Sequence, residues 1–571
     1  MEDIRIYCEN DKEFHKVAIG STLAEISAAI CPTVNDEGCC TGQPVLAALV
    51  DNKLKGLDYT IMNQHNVRFI GYSHPDGRRT YIRSLCFVLQ NVIRQMYPDK
   101  VLAIDYSLPS GLYCEIRELK DREDGRPHVY FATDEELETI RIRMQELIDA
   151  DLPFRKVKMT LAEAERLFSA NRQQEKVNLL HSLGRFTYNV YMLDGQADTF
   201  YGPLTRTTGC LKTFGIMGFS DGFCLQYPLD GTPGKVLPVK RQSKIATALK
   251  EHSDWCAIMD IKGVGTLNKA VQSGKIVELI NFSEALHERR YADIADQIYS
   301  RKGSVKIVFI AGPSSSGKTS TSKRLAIQCR ILGLNPKVIE LDNYFVDRDK
   351  TPRDENGEYD FEALEAMDLK FLGQQLNELL EGKEVEIPRF SFTEGKRFFN
   401  GDFMKLEEKD ILIMEGIHAL NPAMIPDVDN SKVFRVYASA LTALSIDENN
   451  NISTSDNRML RRMIRDNRTR GIVPEETIMR WQSVRRGENR NIFPFQENAD
   501  AVFNSAHIFE LPALKYYAEP LLRRISPNSP AYTEATRMLK FLDYIVALSP
   551  AEMAAIPPTS ILREFIGGQT L

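Results

Sequence analysis

The chain has 571 residues, length for about three or four domains of roughly 100–200 residues each. Its 43% apolar and 26% charged content is that of ordinary soluble globular protein, and a formal charge of −6 gives no chain-wide signature of nucleic-acid binding. No apolar run approaches the roughly 18 residues a membrane helix needs, and the start Met-Glu-Asp-Ile-Arg-Ile shows no signal-peptide pattern. Ten dispersed cysteines with no C-x-x-C pair argue against a disulfide framework or a structural zinc, so a reducing cytoplasm is the expected setting.

Residues 1–72 predict a small β-rich unit. Ile4–Tyr7 and Val67–Ile70 read as its first and last strands, and Thr22–Ile30 as a helix capped by Thr22. Gly20-Ser21-Thr22-Leu23-Ala24-Glu25-Ile26 and Val50-Asp51-Asn52-Lys53-Leu54 together resemble the TGS domain, a ubiquitin-like fold at the front of threonyl-tRNA synthetases. In residues 73–215, Ser84–Met96 and Asp134–Asp149 carry apolar positions at helical spacing. Ile93-Arg94-Gln95-Met96-Tyr97-Pro98, Ser110-Gly111-Leu112-Tyr113, Asp151-Leu152-Pro153-Phe154, Lys176-Val177 and Gly202-Pro203 resemble the second additional domain of those synthetases, which edits mischarged tRNA. Such an editing site uses an H-x-x-x-H pair plus a Cys and a His around a Gly-Pro. The positions aligned with them here are Arg83, Phe87, Phe200 and Leu204. Those side chains cannot bind a metal or move a proton at neutral pH. The resemblance therefore implies a scaffold without its chemistry; RNA contact, docking and homo-oligomer formation remain open uses for it. His74, His128 and His181 are too scattered to replace the lost ligands.

Residues 216–300 read as a connector. Turns are expected at Tyr227-Pro228, Gly231-Thr232-Pro233-Gly234 and Leu237-Pro238, helices over Val264–Ile280 and Ser283–Ser300, and Trp255 as a packing anchor. From 301 to 571 strands and helices alternate. Val305–Ala311, Lys337–Leu341, Ile411–Met414, Val433–Tyr437 and Ala501–Asn504 are the expected strands, and 532–566 a helical tail broken at Pro557-Pro558. This alternation predicts a doubly wound α/β fold with a mainly parallel sheet, so the whole chain is expected to be multidomain, α+β in front and α/β behind.

That last region carries Gly312-Pro313-Ser314-Ser315-Ser316-Gly317-Lys318-Thr319, the G-x-x-x-x-G-K-[ST] phosphate loop. A buried-strand pattern precedes it and a helical one follows, which a serine-rich surface turn would not have. The glycines let successive N–H groups turn towards phosphate oxygens, Lys318 reaches β- and γ-phosphates, and the Thr319 hydroxyl suits Mg²⁺. Gly312 to Thr319, with Ser320 beyond them, are the expected nucleotide-binding residues. Asp342 and Glu415 each follow an expected strand, where open α/β sheets place ligands. A phosphoryl transferase needs such carboxylates for the acceptor hydroxyl and for Mg²⁺. Arg458, Arg461, Arg462, Arg465, Arg468 and Arg470 crowd one expected helix. They suit a phosphate-closing lid, a solvated basic face or a nucleic-acid patch.

Gly312–Thr319, Leu341-Asp342-Asn343-Tyr344-Phe345, Tyr359-Asp360-Phe361-Glu362, Glu415-Gly416-Ile417, Arg461-Arg462-Met463-Ile464-Arg465-Asp466 and Ala499-Asp500-Ala501-Val502 resemble uridine–cytidine kinases of the phosphoribulokinase/uridine kinase family. The resemblance implies an ATP- and Mg²⁺-dependent kinase acting on a nucleoside 5′-hydroxyl. It makes Lys318 and Asp342 catalytic, Asp342 as the base, and sets Thr319, Asp342 and Glu415 around Mg²⁺. It gives Glu362 to the ribose, Arg462 to the nucleoside side with Tyr344, Phe390 and Phe392, and Arg465 and Arg470 to the ATP phosphates. Three departures touch the base and sugar: Phe390 replaces a Tyr, Gly395 a His and Ile472 an Arg, with Lys396 and Arg397 as substitute donors. Other readings are a kinase for another small alcohol, such as a sugar phosphate or pantothenate, and a tRNA-binding regulator using the N-terminal half.

Overall fold

The computed structural model describes residues 3–229, 234–239, 243–353, 357, 359–391 and 393–571; Phe392 and the turn expected at 231–233 lie outside them. The chain begins with a five-stranded sheet of β1 (Asp3–Cys8), β2 (Glu13–Ala18), β3 (Ala47–Val50), β4 (Lys53–Lys55) and β5 (Asn66–Ile70), in the order β2-β1-β5-β3-β4. Helix α1 (Leu23–Ile30) packs Leu23, Ala24 and Ile26 into its core. Thr22 caps it in a two-way box: the Glu25 N–H donates to the Thr22 hydroxyl and the Thr22 N–H to the Glu25 carboxylate, at 3.3 and 2.8 Å. This satisfies donors that a helix start otherwise leaves orphaned.

Helix α2 (Pro75–Met96) starts nine residues before the Ser84 expected from hydrophobic period. Its added turns are mostly polar and interrupt the apolar period: Asp76 pairs with Arg79 at 2.9 Å, Arg79 also reaches Glu534, and Arg83 reaches the Pro203 carbonyl. The sheet beside it joins β6 (Lys100–Leu108) to one edge of β7 (Gly111–Glu118), and α3 (Asp134–Asp149) lies where it was expected. A three-stranded sheet follows, β8 (Arg155–Thr160), β9 (Thr187–Leu193) and β10 (Gln196–Asp198), with α4 (Leu161–Ala170) and α5 (Gln174–Leu183) packed on it. β11 (Gly215–Phe219) and β12 (Gly222–Gln226) then pair back: β12 takes the free edge of β7. The expected connector thus opens inside this sheet. It continues as α6 (Ser243–Ile258), α7 (Val264–Gln272) and α8 (Ile276–Ser300). Gly274, at φ 75°, divides the single helix expected over 264–280. Trp255 is 38% exposed and meets Phe282 edge-on, so it anchors only one side of α6.

The C-terminal sheet contains β13 (Ile307–Ala311), β14 (Asn335–Glu340), β15 (Asp410–Glu415), β16 (Val433–Ser439) and β19 (Ala501–Asn504). Its order is β14-β15-β13-β16-β19 and every pairing is parallel. Central β13 is fully buried: Val308 and Ile310 face α8 and α9 (Lys318–Ile331), while Ile307, Phe309 and Ala311 face the opposite layer. Both faces being covered explains its unbroken apolar run. That opposite layer includes Tyr106 and Tyr113 of the N-terminal half, and α8 comes from the expected connector, so the two halves share core. Between β14 and β15 runs α10 (Leu369–Leu380). After β16 come a small hairpin, β17 (Ser445–Asp447) with β18 (Asn450–Asn451), then α11 (Thr454–Arg470) and α12 (Pro474–Asn491). Helices α13 (Glu510–Arg523) and α14 (Tyr532–Leu542) follow β19. The tail beyond α14 contains only the short helices Pro550–Ala554 and Arg563–Ile566. Among the described residues no helix is long and apolar enough to cross a membrane.

Candidate active site

The phosphate loop joins the carboxyl end of β13 to α9. It turns through Ser315 at φ 58° and Gly317 at φ 80°. A side chain at Gly312 would collide with the Ala438 carbonyl of β16, so glycine there lets the loop lie against the neighbouring strand. The hydroxyls of Ser315 and Ser316 are buried and have no partner among the described residues, which suits a loop built to receive further acceptors. Lys318 opens α9, with Nζ 3.5 Å from the Pro313 carbonyl. The Thr319 hydroxyl donates to Glu415 Oε1 at 2.6 Å.

Glu415 ends β15, in register with Ile310 of β13 and Glu340 of β14. Asp342 sits just beyond β14, in the one-turn helix Leu341–Tyr344. Both carboxyls therefore converge on the crevice beside the loop. Burial pushes Glu415 up to about 7, opposed by Lys318 and reinforced by Asp342. Burial also raises Asp342, and Lys318 offsets part of that. Glu362 is pushed up to about 7 by burial and by Glu488, against Arg462 and Lys318. The charge of Lys318 thus acts on three carboxyls, joined by Arg470 at Asp342 and by Arg462 at Glu362.

The arginine-rich helix divides its work. Arg458 and Arg461 are fully buried pins. Arg458 pairs with Glu488 in a fork, 2.7 Å for Nη2–Oε2, and donates to the Ser314 carbonyl at 3.0 Å, while Glu488 accepts the Ser314 N–H at 3.1 Å. Arg461 pairs with Glu510 and donates to the Ser505 carbonyl, both at 2.7 Å. Arg462 reaches the Ser314 hydroxyl at 2.8 Å. Buried Asp466 gathers Arg462, Arg465 and Arg470 at 3.3, 2.9 and 3.3 Å. Gly471, left-handed at φ 66°, ends the helix. Neither acidic pin was singled out from sequence, because each pairing spans dozens of residues; Asp466 stands in the Arg461–Asp466 motif without a role. Asp466 lies four residues from both Arg462 and Arg470, a helical-face spacing that sequence could have flagged.

The tail reaches this site as well. The Glu564 carboxylate accepts the Ser320 hydroxyl and the Ser320 N–H, the latter at 3.3 Å, and Gln569 donates to the Ser320 hydroxyl at 2.8 Å. Ile561 packs onto Gly317. No short-range sequence pattern announces these contacts.

On the acceptor side, the hairpin Arg389–Ser391/Lys396–Phe398 lies against Asp342's helix, the Phe390 N–H donating to Asn343 at 3.3 Å. The Phe390 ring is 5.7 Å from that of Phe345. Tyr344 instead turns into the core, its hydroxyl on Gln375 at 3.0 Å. Lys396 is exposed, whereas Arg397 pairs with Asp368 at 2.9 Å and lies over Phe371. The Arg348 side chain packs where a side chain at Gly395 would project, a cation the sequence did not single out.

The four N-terminal positions form no comparable site. Phe87 is buried against Phe154 and Phe200, with ring centroids 5.9 and 5.5 Å away, and Leu204 is buried as well. Arg83 donates to the Pro203 carbonyl at 3.2 and 3.0 Å. Among the described residues no group of three or more His, Cys, Asp or Glu could hold a metal ion.

Residues 307–510 match the model of the Phosphoribulokinase / Uridine kinase family. The chain is 30% identical over 197 residues to a uridine kinase of Macrococcus caseolyticus, covering 34% of this chain and 86% of that protein. It is 33% identical over 199 residues to a uridine kinase of Shewanella amazonensis, covering 34% and 85%. Its N-terminal region is similar to a threonine–tRNA ligase of Desulforamulus reducens, 24% identical over 214 residues, 37% of this chain and 31% of that enzyme. The family match encloses the phosphate loop, both strand-end carboxyls, Glu362 and the whole arginine helix, and by it this chain belongs to the phosphoribulokinase/uridine kinase family and is a kinase.

Proposed function

We propose that the chain transfers the γ-phosphoryl group of ATP, with Mg²⁺, to the 5′-hydroxyl of a nucleoside. The observation that carries this reading is the phosphate loop itself, with Thr319 donating to Glu415 at 2.6 Å and Asp342 at the end of the neighbouring strand. The uridine kinase names of the relatives support the nucleoside class. ATP phosphates would lie along the loop from Gly312 to Ser320, on the N–H groups of Ser315, Ser316, Gly317, Lys318 and Thr319 above all, since the Ser314 N–H is held by Glu488 and the Ser320 N–H by Glu564. Thr319, Asp342 and Glu415 would hold Mg²⁺, which neutralises phosphate charge when bound. Asp342 takes the hydroxyl proton, Glu362 holds the ribose, and Phe390 and Arg462 flank the nucleoside. Arg465 and Arg470 answer the charge that develops on the transferring group; because Asp466 already orients them, little reorganisation is needed at that moment.

Base selectivity is proposed to be relaxed or shifted from uridine and cytidine. Phe390 lacks a hydroxyl, Gly395 lacks a ring, and Arg397 is engaged by Asp368, so the base would meet few fixed polar partners. The N-terminal half is proposed to combine a TGS-like unit with an editing-domain scaffold whose metal positions have become Arg83, Phe87, Phe200 and Leu204. The similarity to a threonine–tRNA ligase supports that ancestry. A cytoplasmic location belongs to the same reading.

The test is ATP consumption by the purified full chain against the common nucleosides, pantothenate and ribulose 5-phosphate. Turnover of a nucleoside is expected. Turnover confined to pantothenate or the sugar phosphate would replace the acceptor class, and tight tRNA binding without small-molecule turnover would replace the whole reading.

A further inference from the structure

The hairpin β17–β18 leaves the kinase sheet and enters the N-terminal half. Lys176, at the start of α5, is fully buried between Asp198 of β10 and Asp447 of the hairpin, the latter 3.4 Å away. Asn449 donates to the second oxygen of Asp198 at 2.8 Å, and Asn450 to the Thr199 carbonyl at 3.0 Å. Glu448 accepts the Ile104 N–H on its carbonyl at 2.8 Å and the Glu175 N–H on its carboxylate at 3.0 Å. Thr199 adjoins Phe200, so the hairpin sits on the rim of the pocket that aromatic rings now fill.

Two residues past the hairpin, Ser453 caps α11. A second tie holds the same end. Asp456 takes both arms of Arg537 at 2.7 and 2.8 Å; Arg537 shares Glu534 with Arg79, which lies on α2 of the N-terminal half. From Asp456 to Asp466 the helix is a rod about 15 Å long, at roughly 1.5 Å per residue. Its far end presents Arg462, Arg465 and Arg470.

We infer that Lys176 and Asp447 are positioning residues for phosphoryl transfer: the N-terminal half grips the hairpin and thereby sets where α11 places its arginines over the phosphate loop. The inference rests on the kinase reading of that site. The hairpin also buries Ile446 in an apolar cluster with Leu179 and Val264, which supplies adhesion. Its buried ions are matched in one geometry only, so they fix the position that the apolar contact alone would leave loose. The grip lies at one end of the helix and the arginines at the other, which is the arrangement of a lever with a fixed pivot.

The experiment uses the full chain with Lys176→Met, with Asp447→Asn as its counterpart, and Ile6→Ala as a control that loosens the first sheet without touching the hairpin. For both hairpin-joint variants, kcat is expected to fall about tenfold while KM for ATP and nucleoside stays within about twofold, the pattern of an interaction made only in the transition state. Amide hydrogen exchange over 454–470 is expected to accelerate. Ile6→Ala, at comparable melting temperature, keeps wild-type kcat and exchange over that segment. Wild-type kcat in folded Lys176→Met, or an equal loss in Ile6→Ala, overturns the inference. If the wild-type chain phosphorylates no nucleoside, the kinase reading alone has failed. The exchange comparison then decides: acceleration only in the joint variants supports the pivot, and unchanged exchange overturns it.

Discussion

Two concavities in this molecule have opposite contents. At the phosphate loop, the Ser315 and Ser316 hydroxyls lie buried without partners among the described residues, and Asp342, Glu362 and Glu415 all feel the charge of Lys318. At the N-terminal pocket, Phe87, Phe154, Phe200 and Leu204 fill the space, and Arg83 is bonded to Pro203. The first arrangement keeps electrostatic tension that a ligand relieves; the second has resolved it by packing. Crowded charge in a crevice points to chemistry, and complete apolar packing points to architecture.

The strongest way to break this contrast is to remove the charges. Lys318→Ala is expected to abolish phosphoryl transfer, and Asp342→Asn to lower turnover by at least ~10²-fold while nucleotide binding persists. Near-wild-type turnover in Asp342→Asn, measured beside fluorescent-nucleotide binding, would remove the base from the scheme. The opposite perturbation targets the packed pocket. Phe87→Ala should destabilise the chain by about 3–5 kcal/mol in chemical denaturation, the usual range for a buried phenyl ring. A change below about 1 kcal/mol would mean that the pocket tolerates a void, as a binding site would.

A third comparison uses pH. Burial pushes the Glu415 pKa up to about 7 on folding. Between its ordinary range and that value, the folded chain keeps a proton that the unfolded chain has shed. Stability is therefore highest at the acid end of this window and falls as pH rises through it, by at most about 3 kcal/mol. Ligand-free protein should melt at lower temperature at pH 7.5 than at pH 5, and Glu415→Gln should flatten that difference. An unchanged slope in Glu415→Gln would place the tension elsewhere. The smallest effect concerns the base. An apolar slot discriminates by about 1–3 kcal/mol, so kcat/KM for uridine should exceed that for purine nucleosides by less than ~10³-fold. A larger ratio would mean that polar partners for the base are present.

The sequence made the strand–loop–helix, Asp342, Glu415 and the parallel sheet legible because their signals are local: an apolar run, a glycine spacing, an acid at a strand end. The arginine helix was legible only as a cluster. Spacing could have tied Arg462 and Arg470 to Asp466, but not Arg458 and Arg461 to Glu488 and Glu510, 30 and 49 residues away. The start of α2 was hidden because its first turns are polar and lack the apolar period, and the one tie from them to the tail helix α14, Arg79 to Glu534, spans hundreds of residues. Tyr344, adjacent to motif residues, reads as a substrate contact until tertiary structure turns it onto Gln375.

Glu564 gives the site a history before any substrate arrives. Its carboxylate accepts the N–H of Ser320 in the first turn of α9, where a helix favours negative charge. One N–H cannot serve two anions well. A phosphate that comes to lie there must evict a carboxylate held on the same chain, at the high effective concentration that tethering confers. On the proposed reading, loading the loop would substitute one anion for another, and the segment from Ile561 to Gln569, which contacts Gly317 and Ser320, would register it.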